Sequence, residues 1–352
     1  MPPAPKNSLA HVARLGCAGV LGTLAFTCAV AAAPVDGPGI LVLAAIDAPH
    51  RVSYEGQVQV TRWGSSSADS TIVHVEHKAP NLFRRTYLAP QAIYGEYVVT
   101  RGSVSDKFEP KSARVILTNN PAVENAAALA DNTSLVRQNY SPVLGPEETV
   151  AGRRATTIAL INRFTGERLM RLWIDVQTHI ILAKETYHSD GSLESRVRFD
   201  EITYTSEIPA AHFTLAIPPG YRSVQGRRYG DPSGQIGKAI SAAGFTPIGP
   251  KYLPDGFSIV GADTSNVKTI KSLHLLYSDG IRNLSLFEND RAAAADFGTL
   301  RPTVASFEGH TALYVKQGPT TLLAWHEHDL AFALVGDLDL KELIEIAESV
   351  VP

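Results

Sequence analysis

The nearest approach to a metal-binding pattern in this chain is Trp325-His326-Glu327-His328. On a strand His326 and His328 would share one face, as two ligands of a single ion must. No third ligand stands out in the sequence, so the plainer expectation is a pair of exposed or half-buried histidines on an edge strand. His74 and His77 are three apart; strand alternation sends them to opposite faces, and both are expected at the surface. The adjacent acids Glu147-Glu148 and Asp200-Glu201 diverge in the same way, whereas acid–base catalysis needs convergent groups with tuned pKa values. No phosphate-binding glycine loop, no Gly-x-Ser-x-Gly and no His-Glu-x-x-His is present. These residues predict a chain that is not an enzyme and that carries neither cofactor nor metal.

What could bind is apolar. Tyr54, Val58 and Val60 alternate with polar residues and would line one strand face. Ile158 and Leu160 do the same further on, as do Met170, Leu172 and Ile174. Such faces either fill a core or line a groove for an acyl chain or a partner's side chains. These eight are the candidate lipid-binding residues. In the second half, the hairpin around Tyr277, with Leu275 and Phe287, is the candidate partner-binding surface.

The elements that would position them follow from the pattern. Ile40–Ile46 reads as a helix, and period two then sets in. Strands are expected near 52–60, 71–77, 82–88 and 92–100, a helix over Asn119–Asp131, and further strands near 155–162, 168–175, 180–187 and 193–204. Phe164-Thr165-Gly166-Glu167 and Ser189-Asp190-Gly191 punctuate the later strands as hairpin turns. Residues 222–233, rich in Gly and Arg, read as a linker. Beyond it a helix near 234–243, strands near 273–277, 282–287, 311–316, 321–326 and 331–336, and a terminal helix at 340–350 complete a smaller α+β unit.

The N-terminus is a targeting signal. Lys6 and Arg14 precede an apolar run from Leu15 to Val30, and Ala29-Val30-Ala31 offers a cleavage site. The run is roughly 16 residues, short of the about 20 that a spanning helix takes. Cys28 lacks the preceding leucine of a lipidation site. Residues 1–31 are therefore expected to be a signal peptide directing the chain across a bacterial inner membrane. The alternative is an uncleaved anchor. Both cysteines, Cys17 and Cys28, would leave with it, excluding disulfides and thiolate metal sites. Loss of Lys6 and Arg14 takes the formal charge from −3 to −5, a poor balance for nucleic-acid binding.

A family resemblance joins these parts. Asn139-Tyr140, Gly145, Val150-Ala151-Gly152-Arg153, Arg171-Leu172-Trp173-Ile174-Asp175 and Ile181-Leu182, in that order, resemble the N-terminal domain of the MucB/RseB sigma-factor regulators. So do Glu185, Asp190-Gly191 and Phe199-Asp200-Glu201-Ile202. Ser53-Tyr54-Glu55-Gly56 upstream, and Phe213, Pro218 and Gly220 downstream, resemble the opening and close of LolA-like domains. Leu253-Pro254-Asp255-Gly256-Phe257, Leu276-Tyr277-Ser278-Asp279-Gly280, Ser285-Leu286-Phe287 and Ile346-Ala347-Glu348-Ser349-Val350 are similar to the family's C-terminal domain. Phe245–Phe257 and the terminal helix also resemble an accessory domain found beside other LolA-like and anti-sigma modules.

The resemblance implies an α+β chain: a LolA-like antiparallel half-barrel covered by helices over 36–221, then a smaller α+β domain over 234–352. It implies a periplasmic, envelope-stress regulator that binds the periplasmic domain of a membrane anti-sigma factor and protects it from proteolysis. Lipid or lipoprotein acyl chains would relieve that protection, with the linker letting the domains shift. The alternative is a LolA-like carrier of lipoproteins or lipids, which would need a releasable groove.

Overall fold

The computed structural model describes residues 37–64, 67–102, 104–118, 133–225, 235–267, 270–290, 297, 301–317, 320–327 and 329–350. The expected signal peptide at 1–31, the expected helix at 119–131, most of the expected linker and His328 lie outside them.

The first sheet forms from period-two segments, all but the last of which pair with a neighbour in sequence. Its strands are β1 (Tyr54–Trp63), β2 (Ala68–Lys78), β3 (Leu82–Ala89), β4 (Tyr97–Arg101), β5 (Val104–Glu109) and β6 (Arg114–Thr118). The second run comprises β7 (Tyr140–Val150), β8 (Arg153–Asn162), β9 (Arg168–Asp175), β10 (Ile181–Tyr187), β11 (Leu193–Tyr204) and β12 (Arg222–Gln225). Two antiparallel meanders result, and the long β1–β11 pair joins them into one 12-stranded sheet in the order β12-β6-β5-β4-β3-β2-β1-β11-β10-β9-β8-β7. Its ends, β12 and β7, do not pair with each other, so the sheet is open rather than a closed barrel. The expected linker begins as a strand: Arg222–Gln225 adds to β6 in parallel.

Two helices flank this sheet: α1 (Gly37–Asp47) and α2 (Thr133–Asn139). Val42 and Ala45 of α1 and Val136 of α2 pack with Ile158, Leu160, Met170, Leu172 and Ile174 in one core. A second core gathers Tyr54, Val58, Val73, Val75, Leu182, Val197 and Phe199.

The smaller sheet contains β13 (Ser258–Val267), β14 (Ile270–Ser278), β15 (Asn283–Asn289), β16 (Thr303–Phe307), β17 (His310–Gln317), β18 (Thr320–Glu327) and β19 (Leu330–Gly336). Their order is β13-β14-β15-β19-β18-β17-β16. Helices α3 (Ile236–Ala243) and α4 (Leu340–Glu348) cover one face, where Leu273, Leu275, Leu286, Leu323, Phe332 and Leu343 are buried. Asp339 starts α4 with a capping box: its carboxylate accepts from the Glu342 N–H at 2.9 Å, and Glu342 reaches back to the Asp339 N–H. Among the described residues no helix is long and apolar enough to cross a membrane.

Expected strands 168–175 and 193–204 coincide with β9 and β11. The segment expected as a strand over 92–100 differs. Gln91–Ile93 is a 3-10 turn, Gly95 sits at φ +81°, and the strand starts only at Tyr97. β5, β6, β7, β13, β16 and α2 were not anticipated. β7 carries Pro142, Gly145 and Pro146, which argue against a central strand; it is an edge strand, where a missing N–H costs no ladder bond.

Candidate functional site: one sheet face and the junction beside it

Cross-strand register decides which side chains meet, because residues directly opposite in a ladder share a face. Val60 lies opposite Val197, Val197 opposite Lys184, Lys184 opposite Leu172, and Leu172 opposite Ile158. All eight candidate lipid-binding residues therefore belong to one continuous face of the first sheet. Helix α1 divides them. Ile158, Leu160, Met170, Leu172 and Ile174 lie beneath α1 and α2, each at most 4% exposed, and fill a core. Tyr54, Val58 and Val60 lie beyond it, the first two at 4% and 5% exposed, and line a cavity of about 160 Å³.

The cavity floor is apolar, made of Val58, Val73, Val75, Leu182, Val197 and Phe199. Three cations join it: Arg62, Arg85 and Lys184. Burial pulls the Lys184 ammonium down to about 8, with Asp337 and Glu194 opposing that shift and Arg62 reinforcing it. Tyr54, edge-on to Phe199 at 5.7 Å, is pushed up to about 12 by burial. An apolar floor with lysine and arginine suits an amphiphile with an anionic head. Arg62 was legible in principle, since it continues the period-two series Val58, Val60. Arg85 and Lys184 sit on other strands, and only register brings them to the same cavity.

His77, expected at the surface, is fully buried beside this face. Its Nδ1 lies 3.0 Å from the Leu82 carbonyl and its Nε2 2.6 Å from that of Pro49. Its ring stacks on Phe83 at 4.0 Å. Burial lowers its pKa despite the two carbonyls, which favour the imidazolium. The opposite-faces expectation for the pair is met, since His74 and His77 share a strand at odd spacing, but a core rather than solvent receives His77. Glu147 and Glu148 also part company: Glu147 pairs with Arg154 at 2.7 Å, while Glu148 takes Arg171 at 2.6 Å and the Trp173 Nε1–H at 2.9 Å. His326 is exposed on β18.

The hairpin between β14 and β15 meets the first sheet. The Asn139 side-chain amide donates to the carbonyls of Gly256 and Asp279, both at 2.8 Å. Gly280 has φ +102° and lies so close that a Cβ would stand 2.6 Å from the Val136 nitrogen. Ile281 packs onto the core beneath α1. Arg282 holds Asp279 at 2.8 Å and Glu342 at 3.4 Å. Of the candidate partner-binding residues, Leu275 and Tyr277 are buried under α3 and α4, while Phe287 stacks on His274 at 4.4 Å on the other face. The three do not converge; the hairpin tip, Ser278–Arg282, is the part that makes contact.

Residues 43–217 match the MucB/RseB N-terminal domain. By this segment the chain belongs to the MucB/RseB family. Residues 247–350 match a second model, a domain of unknown function designated DUF4367. Comparison with curated proteins finds no match. Among solved structures, the Pseudomonas aeruginosa MucA/MucB complex shares 16% identity over 90% of this chain and 99% of that one, with a TM-score of 0.61. A crystal structure of MucB in complex with MucA(peri) gives a TM-score of 0.60 at 16% identity, covering 90% of this chain and 98% of that one. MucB alone gives 0.52 at 15% identity, over 89% and 96%. At these identities the likeness is one of fold, and it extends across both sheets.

Proposed function

We propose that this MucB/RseB family member is an exported regulator that binds the periplasmic part of a membrane anti-sigma factor. Residues 36–221 and 234–352 would be its two domains, and residues 1–31 its export signal. The observation that carries the reading is the shared fold with MucB over 90% of the chain, MucB being a protein solved in complex with MucA(peri). The family is one of regulatory binding proteins, and the proposed role is binding rather than catalysis. The apolar cavity with Arg62, Arg85 and Lys184 supports a second part of the proposal: an anionic lipid or lipoprotein acyl group as the signal.

The test is a pull-down of the mature protein from envelope extract, with mass spectrometry of captured proteins and extracted lipids. Recovery of a single-pass anti-sigma factor is expected, and Val58→Asp should abolish any lipid recovered with it. Acylated lipoproteins alone would favour a carrier, a reading that the cavity also supports. Neither protein nor lipid above the background of a tag-only control would overturn both.

A further inference from the structure

The other face of β1 and β2 carries a cluster unrelated to the cavity. His74 and Glu76 alternate on β2, so both project to the side away from Val73, Val75 and His77. Glu55 on β1 is directly opposite Glu76. One ligand atom from each of Glu55, His74 and Glu76 lies within 4.8 Å of the others. His212, from the 3-10 turn Ala210–Phe213, lies beside the group, its Nδ1 2.5 Å from Glu76 Oε1. The group itself offers one imidazole and two carboxylates, drawn from two neighbouring strands.

Two carboxylates directly opposite in a ladder repel each other unless a cation lies between them. Arg84 supplies positive charge on one side only. Its Nε is 3.7 Å from Glu76 Oε2, and its guanidinium is held over the Tyr97 ring at 4.1 Å and donates to the His212 carbonyl at 3.1 Å. Glu55 makes no ion pair, and His74 no side-chain hydrogen bond, among the described residues. Glu76 is 6% exposed, so its charge is poorly served by water.

We propose that Glu55, His74 and Glu76 bind a divalent transition-metal ion. One nitrogen and two oxygen ligands suit Zn2+, with metal–ligand distances of about 2.0–2.2 Å and a fourth, tetrahedral position left to water. The ion lies between the two opposed carboxylates, screens their repulsion and ties β1 to β2 on the face away from the cavity.

The experiment titrates Zn2+ into the chelator-stripped mature chain by calorimetry. One ion per chain is expected, with a melting temperature that climbs with free Zn2+. His74→Ala and Glu55→Gln are half-buried strand substitutions that leave the core intact; each should weaken binding roughly 10- to 100-fold. His326→Ala should change nothing. Absence of saturable binding, or binding indifferent to both His74→Ala and Glu55→Gln, would overturn the proposal. Binding lost only in His326→Ala would do so as well.

Discussion

At the scale of the residue, burial decides the charge behaviour of two groups that no sequence pattern distinguishes. Lys184 is held near 8, below its ordinary 10.5, because its ammonium is desolvated. Between those values the folded chain has lost a proton that the unfolded chain keeps, so stability rises with pH across that window. Glu194 runs the other way: burial, reinforced by Asp337, lifts it from 4.5 to about 7. The folded chain then holds a proton that the unfolded chain has lost, and stability falls as pH rises from 4.5 to about 7. The two penalties overlap between about 7 and 8, the range bounded by the two shifted values. Glu194→Gln should raise stability at pH 7.5 and flatten the acid side of the profile. Lys184→Met should raise stability in the same range while weakening anionic-lipid binding. Urea melts at a series of pH values check both. A profile unchanged by either substitution would mean that these side chains are solvated.

At the scale of the element, α1 divides one sheet face into a filled half and a half that lines the cavity. Leu172 and Val58 are alike in pattern, yet they fall on opposite sides of that division. Leu172→Ala removes side-chain volume from a fully buried site and should cost about 2–5 kcal/mol in denaturant melts, with lipid affinity unchanged in the folded fraction. Val58→Ala should do the reverse, a smaller stability loss with altered ligand binding. Equal effects of the two on ligand binding would show that α1 moves off the sheet. The β1–β11 pair depends on Gly56, where a Cβ would collide with the Glu201 carbonyl. Gly56→Ala should therefore cost more than about 2 kcal/mol, since backbone cannot yield as a side chain can. A substitution costing less than half that would show that the pair has slack.

At the scale of the whole molecule, the two sheets meet, among the described residues, through buried polar contacts of Asn139 and an apolar contact of Ile281. Asn139, 2% exposed, satisfies two carbonyls from separate loops of the second half. Asn139→Ala leaves both acceptors unpaired in a buried place and should cost about 1–3 kcal/mol. Because the loss falls at the junction, calorimetry should resolve two transitions where the parent shows one, and small-angle scattering should show a larger radius of gyration. A single transition of lowered midpoint, with unchanged scattering, would mean that the apolar contact of Ile281 suffices to hold the sheets together.

Much of the fold was legible because period-two alternation is a local property. Tyr54, Val58 and Val60 declare a strand with one apolar face, and Asp190-Gly191 declares a turn, whatever the rest of the chain does. The ordered motifs from Asn139 to Ile202 carried the family for the same reason. Edge strands such as β7 escaped because exposure on one side lets Pro142 and Pro146 replace the apolar pattern. Tertiary structure alone decided the sites. Which half of the apolar face lines a cavity depends on where α1 lies, and α1 is 111 positions or more from Ile158 in sequence. His77 is buried because Pro49 and Leu82 close over it, His74 meets Glu55 because β1 and β2 pair, and Glu76 meets His212 because a strand and a turn far apart in sequence become neighbours. Sequence by itself determined the strands and their alternation; register and helix placement, set by long-range packing, determined which side chains meet.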